Sequence, residues 1–394
     1  MSDAIIVLNA GSSSLKFSIY GIAEPELSLV ARGQVEGLGT SPKFSAKDHA
    51  GQVLADAQLQ SPAKGFEHSE AFAHLAQWMR DAYKGKYVPI GVGHRMAHGG
   101  STFTAPTLID AKVIAELNSL IPLVPLHQPH NLAGIQAVLR LRADLPQVAC
   151  FDTSFHQGRE KVTERFGLPN ELFHQGIRRW GFHGLSYESI STQLRTVAPA
   201  LWGGRAIVAH LGSGASLCAM RNGRSVDTTM SFSALDGLPM GTRCGSLDPG
   251  VILFLINKGM TAPQIELMLY KKSGLLGISG VSNDVRDLLK SDKPLAAEAI
   301  DYFVYRIIRE IGSLTASLNG LDGLVFTAGV GQNSPIIRQR VCEGLGWLNI
   351  RIDPHANEKN QKLISPPGQS PSVWVLPTDE EAVIASHTRA ILAA

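Results

Sequence analysis

The stretch Asn9-Ala-Gly-Ser-Ser-Ser-Leu-Lys16 gathers within a few residues the groups that hold a phosphate. Its glycine lets the backbone approach a ligand closely. Ser12 and its neighbours add hydroxyl donors, and the turn offers N–H groups able to cradle an anion. Lys16 follows as a compact positive charge suited to a phosphate oxygen. The spacing differs from the G-x-x-x-x-G-K-[ST] loop, since the turn leads into a strand rather than a helix. Taken alone, the segment reads first as a Gly-Ser hairpin turn. A second copy shifts that balance. Residues 206–220 lie over 5–19 without a gap, Ile207 on Ile6, Val208 on Val7, Gly212 on Gly11 and Ser213 on Ser12. The identities fall on the strand and on the turn together. Each copy continues into a third strand, at 27–34 and 224–230, so the chain reads as an internal duplication. Two such hairpins facing across a cleft would grip one polyphosphate from both sides.

Three further charged residues lie in glycine-containing stretches: Arg95 in Gly93-His-Arg-Met-Ala-His-Gly-Gly100, His183 in Gly181-Phe-His-Gly184 and Arg243 in Met240-Gly-Thr-Arg243. Phosphoryl transfer is mostly positioning plus neutralisation of charge on the transferring oxygens. Two guanidiniums and an imidazole supply that charge, and an arginine also grips a carboxylate in bidentate fashion. Each arginine by itself reads as one half of a surface ion pair, and His183 by itself as a structural histidine. The glycines flanking His183 allow close approach by a ligand and tip it towards function.

The elements that must position these residues alternate along the chain. Residues 40–70 are polar and read as loops or edge strands, and 72–83 carry helical spacing with Leu75, Met79 and Ala82 on one face. A strand at 88–93 empties into the Arg95 stretch, and a helix over 132–142 precedes a strand at 147–151 closed by Asp152, near which the domain changes. Helices dominate from 251, including 295–317. A strand at 324–327 then meets the glycine turn Gly329-Val-Gly-Gln-Asn333, with Ser334 and Pro335 suited to capping the next helix. Thr378-Asp-Glu-Glu381 reads as a capping box, Thr378 at the N-cap and Glu381 at N3. Such alternation argues for an α/β architecture. At 394 residues there is room for two or three domains. Lys plus Arg (36) nearly balance Asp plus Glu (34), which supports neither a nucleic-acid nor a polybasic membrane surface. The four cysteines form no C-x-x-C pair, the N-terminus lacks a signal peptide's basic region, and the apolar run at 251–256 is too short to span a bilayer. A reduced, cytoplasmic protein with no nucleic-acid or membrane partner is expected.

With both hairpins placed, the chain resembles the acetate kinase family from end to end. The resemblance rests on the four motifs above together with Phe151-Asp-Thr-Ser-Phe-His156, His210-Leu-Gly-Ser-Gly214 and Thr327-Ala-Gly-Val-Gly331, all in family order. It implies a duplicated ribonuclease-H-like, actin-like ATPase fold, with a nucleotide cleft between domains at 1–152 plus 381–394 and at 153–380. It also implies a homodimer, and reversible transfer of the ATP γ-phosphate to acetate or another short-chain carboxylate, giving the acyl phosphate and ADP. Propionate is the alternative acceptor. A sugar or polyol kinase, or a non-enzymatic actin-like ATPase, is the more distant alternative; the Arg95 and Arg243 pair favours an anionic acceptor.

The resemblance makes Arg95, Asp152, His183 and Arg243 catalytic. A carboxylate nucleophile is already ionised at neutral pH, so Asp152 is expected to orient an arginine or magnesium-bound water rather than act as a base. His127 matches a family histidine near the substrate, and with only His130 beside it in sequence it does not suggest zinc. ATP or ADP falls to Ser12, Lys16, His210, Leu211, Gly212, Ser213, Gly214, Asp284, Val285, Arg286, Gly329, Val330, Gly331, Gln332 and Asn333. Mg²⁺, or Mn²⁺ in its place, falls to Asn9 and Glu380. The acyl group matches Ala97, Leu126, Phe182 and Ala234, where acetate-preferring members commonly carry Val at the first and Pro at the last. Smaller walls leave space for an extra methylene. Ser213, Leu185, Tyr187, Gln128 and His130 also depart from the common family residues.

Overall fold

The computed structural model describes residues 1–23, 26–60 and 65–393. It divides into two compact units, one of Met1–Ser154 with Asp379–Ala394 and one of Phe155–Thr378. Both junctions lie two residues from the boundaries read in the sequence, for local reasons. The Ser154 hydroxyl donates to the Phe151 carbonyl (2.8 Å), tying it to the first unit. Asp379 caps the last helix and accepts from the Tyr20 hydroxyl (3.4 Å).

In the first unit the strands β1 (Ser2–Ala10), β2 (Ser14–Ala23), β3 (Glu26–Glu36), β4 (Lys43–Asp48), β5 (Val53–Gln58), β6 (Tyr87–Met96), β7 (Thr107–Leu108) and β8 (Gln147–Phe151) form one sheet in the order β5-β4-β3-β2-β1-β6-β8-β7. In the second, β9 (Arg205–Leu211), β10 (Ala215–Arg221), β11 (Arg224–Thr228), β12 (Gly323–Thr327) and β13 (Ser372–Val375) run in the order β11-β10-β9-β12-β13. The cores of the two sheets match. Three antiparallel strands (β3-β2-β1, β11-β10-β9) are followed by two parallel ones (β6-β8, β12-β13). This is the duplicated α/β fold expected from the paired hairpins.

The repeat is not gapless, however. In the first hairpin Ala10 faces Leu15 and Asn9 faces Lys16, whereas in the second Leu211 faces Ala215 and His210 faces Ser216. The second turn is one residue shorter, closed by Gly212 N–H to the Gly214 carbonyl where the first closes from Gly11 to Ser14. Ser216, not Leu217, therefore stands where Lys16 stands. A one-residue slip would turn each inward side chain outward, so the deletion is confined to the turn.

The helix His68–Tyr83 buries Ala71, Phe72, Leu75 and Met79 against β2 and β4, packing on Phe17 and Phe44. Ala82, expected on that face, is exposed. The final helix, Glu380–Leu392, lies across β6 and β1. Gly91 and Gly93 make that approach: a Cβ at Gly93 would collide with Thr388 and Ile384, and one at Gly91 with Leu392. The close seat delivers the helix's first turn to the end of β6, where Arg95 sits. That helix is capped by Asp379, whose carboxylate accepts from Ala382 N–H (2.8 Å), and not by Thr378 as the capping-box pattern suggested. Ser334 does occupy the N-cap of the helix Pro335–Gly344, without a side-chain bond. In the second unit, the long helix Pro294–Leu318 packs on β9, β10 and β11. Among the described residues no helix is long and apolar enough to cross a membrane.

Candidate active site

In the first unit Arg95 lies between two carboxylates. Its Nη2 and Nε reach Asp152 at 2.9 and 3.2 Å, and its Nη1 reaches Glu380 at 3.0 Å. Burial works against the charged guanidinium, but Asp152 and Glu380 outweigh it and hold its pKa above the usual arginine value. Asp152 is held in turn by its own N–H donating to the Met96 carbonyl (2.9 Å). Two partners here carried no sequence signal. Asn131 accepts from Ala97 N–H (3.0 Å) and donates to the Ala10 carbonyl (2.9 Å), joining the ends of β6 and β1. His68 Nε2 bonds the Gly11 carbonyl (2.9 Å), bracing the serine turn from outside. Ser12 and Lys16 are exposed on and just beyond that turn. Leu126 and His127 are half-buried just before the helix Gln128–Leu141, which carries Asn131. The other histidines of the Arg95 stretch, His94 and His98, are buried and held near pKa 4 by that burial. They are neutral parts of the core.

In the second unit a different constellation forms. His183 adopts a left-handed backbone (φ 58°) as it enters the helix Gly184–Val197, a conformation uncommon for a non-glycine residue. Its ring stacks on that of His210 with centres 4.2 Å apart. Beside them, a Cβ at Gly214 would stand 3.2 Å from His183 Nε2 and 4.0 Å from Arg243 Nη1, so Gly214 permits the three to converge. Arg243 donates to the Ala234 carbonyl (3.1 Å) and to the Met240 sulfur (3.6 Å). Among the described residues it makes no ion pair with a carboxylate. Burial lowers its pKa from the ordinary value, partly offset by Tyr270. Phe182 and Ala234, the expected acyl-pocket residues of this unit, are both buried.

A cavity of about 460 Å³ opens in the same unit, within the range of ligand pockets. Its walls include Gly212, Ser213, Asp284, Val285, Arg286, Gly329, Val330 and Asn333, all expected at the nucleotide. They also include Met240, Gly241, Leu275, Asn283, Phe303 and Ser334, of which only the Met240-Gly-Thr-Arg243 motif had given a sign. Leu211 is fully buried in β9 and not part of the wall. The Gly331 and Gln332 carbonyls accept from Arg338 instead (2.9 and 2.8 Å). Asp284 caps its short helix through Arg286 N–H and grips the Arg286 guanidinium, so this pair shapes the wall. Ala328, where β12 turns into the glycine-rich segment, has φ 63°, a second strained residue beside the second hairpin.

For a magnesium ion, Asn9 and Glu380 offer an amide and a carboxylate oxygen. That hard, sparse donor set suits an ion that keeps several waters. Asn9 faces Lys16 across the β1–β2 ladder, and Glu380 uses Oε2 on Arg95, leaving its second oxygen. Among the described residues no cluster of three His, Cys, Asp or Glu forms a protein-only cage.

Residues 4–386 match the family model described as the Acetokinase family. An acetate kinase of Rhodopseudomonas palustris is 50% identical over 393 residues, covering 98% of each chain. Among solved structures, a propionate kinase from Francisella tularensis superposes with a TM-score of 0.91 at 34% identity, covering 99% of this chain and 100% of that one. The Porphyromonas gingivalis acetate kinase gives 0.87 at 36%, with the same coverage. With its motifs in order, its sheets duplicated and its whole length matched, the chain belongs to the acetokinase family.

Proposed function

We propose that this chain transfers the γ-phosphate of ATP reversibly to acetate, giving acetyl phosphate and ADP. The observation that carries this reading is the contrast between its two arginines. Arg95 is already neutralised by Asp152 and Glu380, while Arg243 sits half-buried near His183 with no carboxylate partner among the described residues. A cation in that state favours an anion arriving from outside, and phosphoryl transfer brings one.

In this reading the acetate carboxylate attacks the γ-phosphorus and needs no base, because it is ionised at neutral pH. Asp152 holds the Arg95 guanidinium in a fixed plane, and His183 and Arg243 donate to the oxygens on which charge builds. Ser12 and Lys16 hold phosphate, and the second-unit cavity takes the adenosine. Mg²⁺, or Mn²⁺, held by Asn9 and Glu380, would neutralise phosphate charge. Among the described residues no cysteine forms a disulfide, and three of the four are buried, which fits a reducing cytoplasm. Partners are the carboxylate, its acyl phosphate and a second copy of the chain.

A second acceptor is favoured by a specific observation. Ala97 and Ala234 carry only methyl groups where larger walls suit acetate, and one methylene in an apolar pocket is worth about 1–3 kcal/mol. Propionate is therefore expected close to acetate in kcat/KM, and butyrate well behind. The test traps acyl phosphate as the hydroxamate for acetate, propionate, butyrate and glycerol. Acetate and propionate should react and glycerol should not, and Arg243→Ala should lower kcat about 10²–10³-fold, as for loss of one charge-stabilising donor. Unchanged turnover in a folded Arg243→Ala enzyme would remove that arginine from the mechanism, and absence of hydroxamate would end the reading.

A further inference from the structure

The stacked imidazoles of His183 and His210 pose a problem of charge. Two imidazolium ions with ring centres 4.2 Å apart would repel strongly, whereas two neutral rings stack without that cost. What a neutral imidazole offers a ligand depends on which nitrogen carries its proton. In both rings Nδ1 is engaged by a serine hydroxyl at 2.8 Å: His183 by Ser216, and His210 by Ser186. Both serines are fully buried, as is Tyr187, whose hydroxyl also bonds Ser216. The five groups are fixed by very short stretches of chain. Ser186 and Tyr187 come from the first turn of the helix that His183 enters, and His210 and Ser216 face each other across the β9–β10 ladder. The shortened second turn creates that last pairing.

We propose that Tyr187, Ser216 and Ser186 are positioning residues that hold both histidines in the Nε2–H tautomer. The phenol is the more acidic hydroxyl and donates to Ser216. The single Ser216 proton is then directed to His183 Nδ1, and Ser186 does the same for His210. Each ring keeps its own proton on Nε2, the nitrogen that His183 turns towards Gly214 and Arg243. Two neutral N–H donors can point at phosphoryl oxygens at a spacing where two cations would repel, leaving the positive charge to Arg243. The consequence for catalysis rests on the phosphoryl-transfer reading; the tautomers belong to the resting protein.

Ring-nitrogen ¹⁵N spectra of the full-length protein labelled at histidine test this directly. His183→Gln and His210→Gln identify the two signals by their disappearance. The expected result is an Nε2–H pattern for both. Ser216→Ala and Tyr187→Phe should shift His183 towards a tautomer mixture, and Ser216→Thr should restore it. Turnover in Ser216→Ala should fall about 10–100-fold, as when partners that orient a functional histidine are removed, with KM for acetate nearly unchanged. An Nδ1–H pattern in the wild type, or a His183 signal indifferent to both substitutions, overturns the inference. So does unchanged kcat in Ser216→Ala. The tautomer readout needs no activity, so it fails or stands separately from the acetyl-transfer reading.

Discussion

Arg95 and Arg243 look alike in the sequence, each an arginine two residues after a glycine, and only their neighbours separate them. Asp152 reads in the sequence as orienting an arginine or magnesium-bound water, because a carboxylate acceptor needs no base, and in the structure its carboxylate lies against the Arg95 guanidinium. Glu380 and Glu381 were harder to tell apart. The local pattern offered Thr378 as cap and Glu381 as its return partner, but Asp379 takes the cap, since any Asx or hydroxyl residue near a helix start competes for it. Glu381 is left half-buried, and burial together with the charges of Glu380 and Asp379 raises its pKa above the ordinary glutamate value. A carboxyl whose pKa is raised on folding favours the native state when protonated. That contribution is lost as pH rises through the folded value. Glu381→Gln should therefore raise Tm at pH 7–8, with the difference vanishing at acid pH. Asp379→Ala should lower stability by about 1 kcal/mol at neutral pH through loss of the cap. Glu380→Gln should leave Tm less affected than the magnesium requirement of turnover. A lower Tm for Glu381→Gln at pH 8 would contradict the assignment.

At the scale of elements, strands bearing β-branched runs and glycine turns were readable, and β8 begins and ends where the sequence placed it. The long helix was legible as well, because 25 residues of sustained periodicity leave little competition. The shortened second turn was not, because a gapless overlay matches the first strand and the turn glycine equally well. Nor could periodicity reveal Arg338, which lies fully buried beneath the cavity wall. Its guanidinium donates to the Gly331 and Gln332 carbonyls, to Asn357 through side chain and backbone, and to the Asn360 side chain. It thus fixes the short segment Ala328–Asn333 against Pro354–Glu358. Removing it leaves several buried acceptors unmet, each costing about 1–3 kcal/mol. Arg338→Met should lower Tm by several degrees or more and, in the fraction that remains folded, raise KM for ATP well above any change in KM for acetate. Equal rises in both constants would show that Arg338 supports the whole unit rather than the nucleotide wall.

For the whole molecule, composition showed that the charges balance and that no segment is long enough for a bilayer, but an apolar run reads the same whether it enters a core or an interface. The structure separates these cases. The helix Pro249–Asn257 is the sequence PGVILFLIN, and none of its residues is buried. Leu253, Phe254 and Ile256 are 63%, 59% and 50% exposed. Scattered exposed leucines need no explanation, but a whole helix of them forms a contiguous patch of the kind that marks an association surface. Net charge is only +2, which offers little repulsion between copies. A second copy is the economical occupant, because a self-complementary patch closes a twofold dimer and leaves nothing exposed. Light scattering should therefore give a mass near twice 42.3 kDa at micromolar concentration. Phe254→Glu combined with Leu253→Lys should shift the protein to a monomer without loss of circular dichroism, since neither side chain contributes to the core of its own unit. A wild-type monomer at high concentration, or a charged double variant that remains a dimer, would assign this helix to something other than self-association.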